Sequence, residues 1–317
     1  MNHLESAFEG KNTFGRYLIM IAAIILMVNT FGSLPMLIAL VIKSVSNPDV
    51  FSQLAANPSN LGAAGLDLNL GLILMIIPFI IGLATFMLLV KSLHQRTFKM
   101  TINGTGKIRW NRFFISGGVY TILSAVYLIT CYELHPSNFT LNNTTASLIT
   151  LSVITLALIP FQATFEEVLF RGYMMQGFAV IARNRWFPLL MTALLFGLMH
   201  AFNPEVKEFG FFTMMPQYIL FGLIFGIITI MDDGIEASMG AHTANNAFLC
   251  IMVTQKSSAL QTPALLEQTK IYPWTEFFAL LFVGILLILI LKIIFKWEDF
   301  SKLFGKIKPE KVVNQIP

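Results

Sequence analysis

Eight stretches of this chain, at roughly residues 17–43, 69–92, 113–132, 148–181, 187–202, 212–231, 236–254 and 274–296, are apolar nearly throughout. About 20 such residues make a helix long enough to cross a bilayer. In hydrocarbon, only helices and closed barrels satisfy every backbone N–H and C=O. The pattern predicts an all-α, polytopic membrane protein with about eight transmembrane helices. Composition agrees: 12% of residues are charged, against roughly 25% in a soluble domain. The two cysteines, Cys131 and Cys250, both lie in apolar segments, which excludes a disulfide framework and a Cys-rich zinc site. The net charge of +4 resides mostly in loops and the tail, so it speaks to topology and not to nucleic acid. The opening residues, MNHLESAFEGKNTFGRY, lack the basic start and small-residue cleavage site of a signal peptide, so the first span is expected to persist.

Basic residues set an expected orientation, because cytoplasmic loops carry an excess of Lys and Arg. The loop 93–112 holds Arg96, Lys99, Lys107, Arg109 and Arg112; the connection near 183–185 holds Arg183 and Arg185; the tail holds Lys302, Lys306, Lys308 and Lys311. The loops 45–68, 134–146 and 203–211 are poor in basic residues, and 134–146 carries glycosylation-like sequons. Alternation then places both termini in the cytoplasm. Asp232-Asp233-Gly234 falls on the same side although it is acidic. Segment 148–181 exceeds one ordinary span; a long tilted helix and a span broken near Glu166 both fit.

Ionisable residues inside membrane segments are rare and mark functional sites. Here Glu166-Glu167-Val168-Leu169-Phe170-Arg171 closes an apolar run. Glu167 and Arg171 are four apart, share a helix face and are expected to pair. Glu166 lies about 100° around the helix, outside that pair and free for chemistry. Phe196 to His200 ends the next segment, and His242 and Asn246 share a face of the seventh. Converged, Glu166, His200, His242 and Asn246 would hold one water against one carbonyl. A carboxylate in a water-poor site suits the work of a general base. A neutral His can orient the water, and His and Asn can donate to a developing oxyanion. This set suffices for peptide hydrolysis without a covalent intermediate, and no GxSxG elbow or base-paired cysteine offers another nucleophile. The plainer reading of each residue is structural: an interhelical hydrogen bond for a single His or for the Asn245-Asn246 pair, and an ion pair for Glu167 with Arg171. Gly222 and Gly226 read as a small-residue packing face.

Glu166-Glu167-x-x-x-Arg171, Phe196-x-x-x-His200 and His242-x-x-x-Asn246, in this order on successive membrane helices, resemble the CAAX protease and bacteriocin-processing family, also called the Abi family. The resemblance covers about residues 148–255. It implies a catalytic core there, preceded by N-terminal transmembrane helices (1–147) and followed by a last helix and basic cytoplasmic tail (256–317). It further implies an all-helical intramembrane endopeptidase acting on a peptide or protein in the lipid bilayer, in a bacterial cell membrane. By carry-over, Glu166 would activate water, helped by His200; His242 and Asn246 would form the oxyanion site; Glu167 and Arg171 would support them. Bacterial members of the family generally lack prenylated substrates, so the resemblance does not carry CAAX specificity over to this chain.

Two histidines and a carboxylate are also a donor set for catalytic zinc. There is no HExxH, and the histidines sit on different helices; the family resemblance favours a metal-independent glutamate mechanism with no cofactor, with zinc as the alternative. Two other function classes fit the polar residues: a proton-coupled transporter, which often shows internal repeats that this chain lacks, and a non-catalytic immunity or binding protein. One tension stands in the topology. Simple counting puts Glu166 near the cytoplasmic end of its span and His200 near the outer end of the next, whereas cooperation requires one depth.

Overall fold

The computed structural model describes residues 2–56, 61–62, 64–142 and 145–308. Lys311 and the sequon positions Asn143 and Thr144 lie outside them. Each of the eight apolar segments is helical. We label them α1 (Phe14–Ser44), α2 (Leu68–His94), α3 (Trp110–Leu134), α4 (Ser147–Ala182), α5 (Trp186–Met199), α6 (Phe211–Asp232), α7 (Glu236–Met252) and α8 (Pro273–Phe295). The protein is an all-α polytopic membrane protein. Six of these helices are long and apolar enough to cross a membrane; α5, with 14 residues, and α7, with 17, are shorter. The described residues thus give six helices of spanning length against the eight expected. At 1.5 Å per residue α5 covers about 21 Å, against a hydrocarbon core of about 30 Å.

The helices alternate in direction. Those that end at one pole do so with a left-handed residue, Gln95 after α2, Arg183 after α4, Asp233 after α6 and Lys296 after α8. This conformation lets the next backbone N–H bond back to a helix carbonyl and stops the helix. The same pole gathers the N-terminal residues, the loop between α2 and α3 and the described tail. Glu5 pairs with Arg185, the Ile307 N–H donates to the Arg183 carbonyl, and the Ile235 N–H donates to the Ile102 carbonyl. The acidic loop that sat oddly in the charge pattern is neutralised here. Asp232 meets Arg109 at 3.1 Å and Arg112 at 3.4 Å, Asp233 meets Lys302 at 2.6 Å, and Glu236 meets Arg109 at 2.6 Å. The opposite pole carries a small sheet in the order Phe139–Leu141, Leu266–Gln268, Val253–Thr254, antiparallel then parallel.

Segment 148–181 forms one continuous helical run. Its regular α part ends at Glu167, seven residues from Val168 to Met174 follow with π geometry, and the α form resumes at Met175. Such π turns cost stability and occur often at functional sites. The run is held on its outer side by Tyr17, Phe86 and Tyr173, whose rings meet at 4.7–5.2 Å, and by His94, which bonds the Tyr173 hydroxyl at 2.7 Å. At the polar pole, buried Gln176 donates to the His3 and Met100 carbonyls, both at 2.9 Å. Burial holds the His3 imidazole below the ordinary histidine range, so it stays neutral and its Nε2 donates to the Arg171 carbonyl at 3.0 Å.

Small residues let the inner helices touch. Gly222 lies against the backbone of Ala193 and Gly226 against the Leu189 side chain, so both face α5. The closest approach is between α3 and α7. A Cβ built on Gly240 would lie 2.0 Å from the Phe113 carbonyl oxygen, whereas one on Gly118, a turn further along α3, meets nothing within 4 Å. Overpacking of a close contact costs about 1–3 kcal/mol. Gly240→Ala should therefore lower the thermal midpoint of purified protein in detergent while Gly118→Ala leaves it unchanged; equal midpoints for the two variants would show that α3 and α7 are not in backbone contact.

Candidate active site

The polar residues of α4 and α7 meet in one buried network. Glu167 and Arg171 have no exposed surface, and Glu166 retains 6%. Arg171 Nη1 donates to Glu167 Oε1 at 2.9 Å, the i to i+4 pair that the spacing predicts. His242 Nδ1 donates to the same carboxylate oxygen at 2.8 Å. That bond fixes the ring, and its other nitrogen, Nε2, faces Glu166 Oε2 at 3.5 Å. One imidazole thus stands between the two adjacent carboxylates. The two Glu and Arg171 sum to one negative charge with neutral imidazole, and to zero with one further proton.

Glu166 is less free than its sequence position suggests. Gln162, one turn earlier on α4 and also buried, donates to Glu166 Oε1 at 2.6 Å. Gln162 Oε1 in turn accepts from Asn246 Nδ2 at 2.7 Å. Asn245 Nδ2 donates to Asn246 Oδ1 at 2.7 Å, and the Tyr120 hydroxyl of α3 donates to Asn245 Oδ1 at 2.8 Å. Gln162 went unnoticed in the sequence reading. The available signal was a polar residue in an apolar helix, four before the Glu pair. Glu166 Oε2 accepts no hydrogen bond from the described residues, and it is the oxygen turned toward His242.

His200 is near this network but not bonded into it. Its Nδ1 donates to the Phe196 carbonyl at 2.7 Å, which leaves Nε2 as the acceptor of a neutral ring. The ring stacks on Tyr218 at 4.5 Å and an angle of 20°. Phe196, the aromatic residue of its own motif, links the two halves. Its ring lies 4.7 Å from His200 and 6.0 Å from His242, and the Arg171 guanidinium sits 4.2 Å over it. Phe225 of α6 stacks on His242 at 5.0 Å and 22°. These aromatic walls exclude water and give the guanidinium a cation–π partner.

The depth tension resolves in the helix lengths. Sixteen residues separate Glu166 from the end of α4 and fourteen separate Trp186 from His200, about 24 Å and 21 Å respectively at the helical rise. Helices α4 and α5 are joined by the short turn at Arg183–Arg185, so the two residues return to one level. Counting misplaced Glu166 because α4 runs on well past it.

Among the described residues, no group of three or more His, Cys, Asp or Glu is placed to hold a metal ion.

Comparison with known proteins follows the same residues. The sequence model of the family described as Type II CAAX prenyl endopeptidase Rce1-like matches residues 147–248, which contain every motif residue named above. The chain is 30% identical over 296 residues to the "Uncharacterized protein YyaK" of Bacillus subtilis (strain 168), covering 90% of this chain and 96% of that protein. No solved structure matches. The chain belongs to the CAAX protease and bacteriocin-processing family, a family of membrane-embedded proteases.

Proposed function

We propose that the protein is an intramembrane endopeptidase that hydrolyses peptide bonds with a water activated by Glu166, without a covalent intermediate and without a metal. The observation that carries this reading is the unbonded Glu166 Oε2 beside His242 Nε2 at 3.5 Å, in a buried site. A water there would give its proton to Glu166 as its oxygen attacks the substrate carbonyl. Glu166 would then pass that proton to the leaving amine, which closes the cycle with one water consumed and one peptide bond broken. Gln162 fixes the second carboxylate oxygen, so the lone pair that takes the proton from water keeps one direction. His242, held by Glu167, stands next to the developing oxyanion, and Asn246 can donate to that oxyanion once its amide turns from Gln162. His200, with its acceptor nitrogen free of the Phe196 carbonyl, is placed to steer the water or the substrate.

Glu166→Gln keeps the shape and the Gln162 contact but removes the base. Purified wild type, incubated with a peptide library in detergent and then in bilayers, should cleave; Glu166→Gln should lose on the order of 10²–10⁴ in rate with an unchanged thermal midpoint. Activity should survive exhaustive chelation. Turnover by Glu166→Gln at the wild-type rate, or activity restored only by zinc, would overturn the mechanism.

We also read both termini as cytoplasmic, because the pole that gathers the N-terminal residues and the described tail carries Arg96, Arg109, Arg112, Arg183 and Arg185. Reporter fusions after Pro317 and within 134–146 should place the first inside and the second outside. An external signal from Pro317 would reverse the orientation.

A further inference from the structure

Between α3, α6, α7 and α8, on the side of the network away from the polar pole, lies a cavity of about 150 Å³. Its walls are mostly aromatic and apolar, and include Tyr120, Tyr127, Phe221 and Phe248. Two features separate it from a lipid-filled gap. Asn245 lines it, and Asn245 donates to Asn246, which donates to Gln162, which donates to Glu166. Glu276, on the first turn of α8, also lines it. Its Oε2 accepts from the Tyr127 hydroxyl at 2.9 Å, but among the described residues no ion pair involves Glu276. A carboxylate inside a membrane helix is costly unless a partner faces it, and aromatic faces attract cations more strongly where water is excluded.

We propose that this cavity binds the cationic end of a Lys or Arg side chain from the peptide engaged at Glu166, with Glu276 as counter-ion and the tyrosine faces as walls. The identity of that ligand as substrate rests on the endopeptidase reading. Reach is adequate. Tyr120 touches Asn245, and Tyr127 touches Glu276 two turns along α3, about 10 Å further. Asn246 and Gln162 lie between Asn245 and Glu166 and add to that span. An extended chain advances roughly 3.3–3.6 Å per residue, so the basic residue falls about three residues beyond the part of the peptide that faces Asn245.

Titration of n-butylammonium into purified protein in detergent, with n-butanol as the neutral control, tests the cavity directly. The ammonium should raise the thermal midpoint of wild type and of Glu166→Gln, and should not raise that of Glu276→Gln. Ala279→Leu, which fills the cavity and keeps the carboxylate, should lose the effect too. Butanol should do nothing in any of them. No rise in wild type, or an equal rise in Glu276→Gln, would overturn the proposal. In the second arm, peptide pairs carrying Lys or norleucine at each of the six positions on either side of the scissile bond are compared by kcat/KM. Wild type should prefer Lys at one position, and Glu276→Gln should reduce that preference on the order of thirtyfold, the low end for losing one partner of a buried charge pair, while still cleaving. A wild type with no Lys preference, or a preference untouched by Glu276→Gln, counts against the site. Should wild type cleave no peptide at all, the endopeptidase reading fails and the ammonium titration alone decides the cavity.

Discussion

Arg171 and Glu167 form an ion pair with no exposed surface in the middle of an apolar bundle. Breaking such a pair strands a charge in a medium that cannot solvate it, at a cost of about 3–5 kcal/mol. The bundle is arranged to prevent that. Arg171 rests on the Phe196 ring at 4.2 Å and donates to the Gly222 carbonyl at 3.4 Å. Its own backbone carbonyl is bonded by His3 from the N-terminal segment. The carboxylate it holds has a fixed direction, and that direction sets His242 and, through its far nitrogen, the environment of Glu166.

Helix geometry delivers these groups to one level. Helix α4 carries both carboxylates just past the midpoint of its length and changes to π geometry immediately after them, which alters the angular offset between Glu167 and the residues beyond. Helix α5 is short and stops at His200. Helix α7 enters with only six residues between Glu236 and His242, about 9 Å of rise, so the site lies nearer the charged pole than the sheet. The glycine contact between α3 and α7 brings Tyr120 within reach of Asn245, which carries the hydrogen-bond chain out to the aromatic cavity.

Much of this was legible from sequence, for physical reasons that differ by residue. Apolar runs identify membrane helices because backbone satisfaction in lipid leaves few alternatives, although length alone could not show that 187–202 and 236–254 form helices shorter than a full span. The Glu167–Arg171 pair was legible because i to i+4 spacing is local. Glu166 read as unpartnered, but Gln162, four residues earlier on the same helix, donates to it, and His242 reaches it only through the approach of α7. His242 read as part of the oxyanion site with Asn246, and the packing adds that its ring stands between the two carboxylates. The acidic turn at Asp232 and Asp233 conflicted with the basic loops only until those loops were seen to pair with it.

The central claim is that Glu167 acts on Glu166 through His242. A double-mutant cycle on kcat, with Glu167→Gln, His242→Ala and the two combined, measures this coupling directly, each variant first checked for a folded thermal transition. If Glu167 works through the imidazole, the double variant should be no slower than His242→Ala alone, because the ring that Glu167 positions is already gone. Losses that simply multiply would show two independent roles, and would contradict the account in which one buried ion pair orients the site.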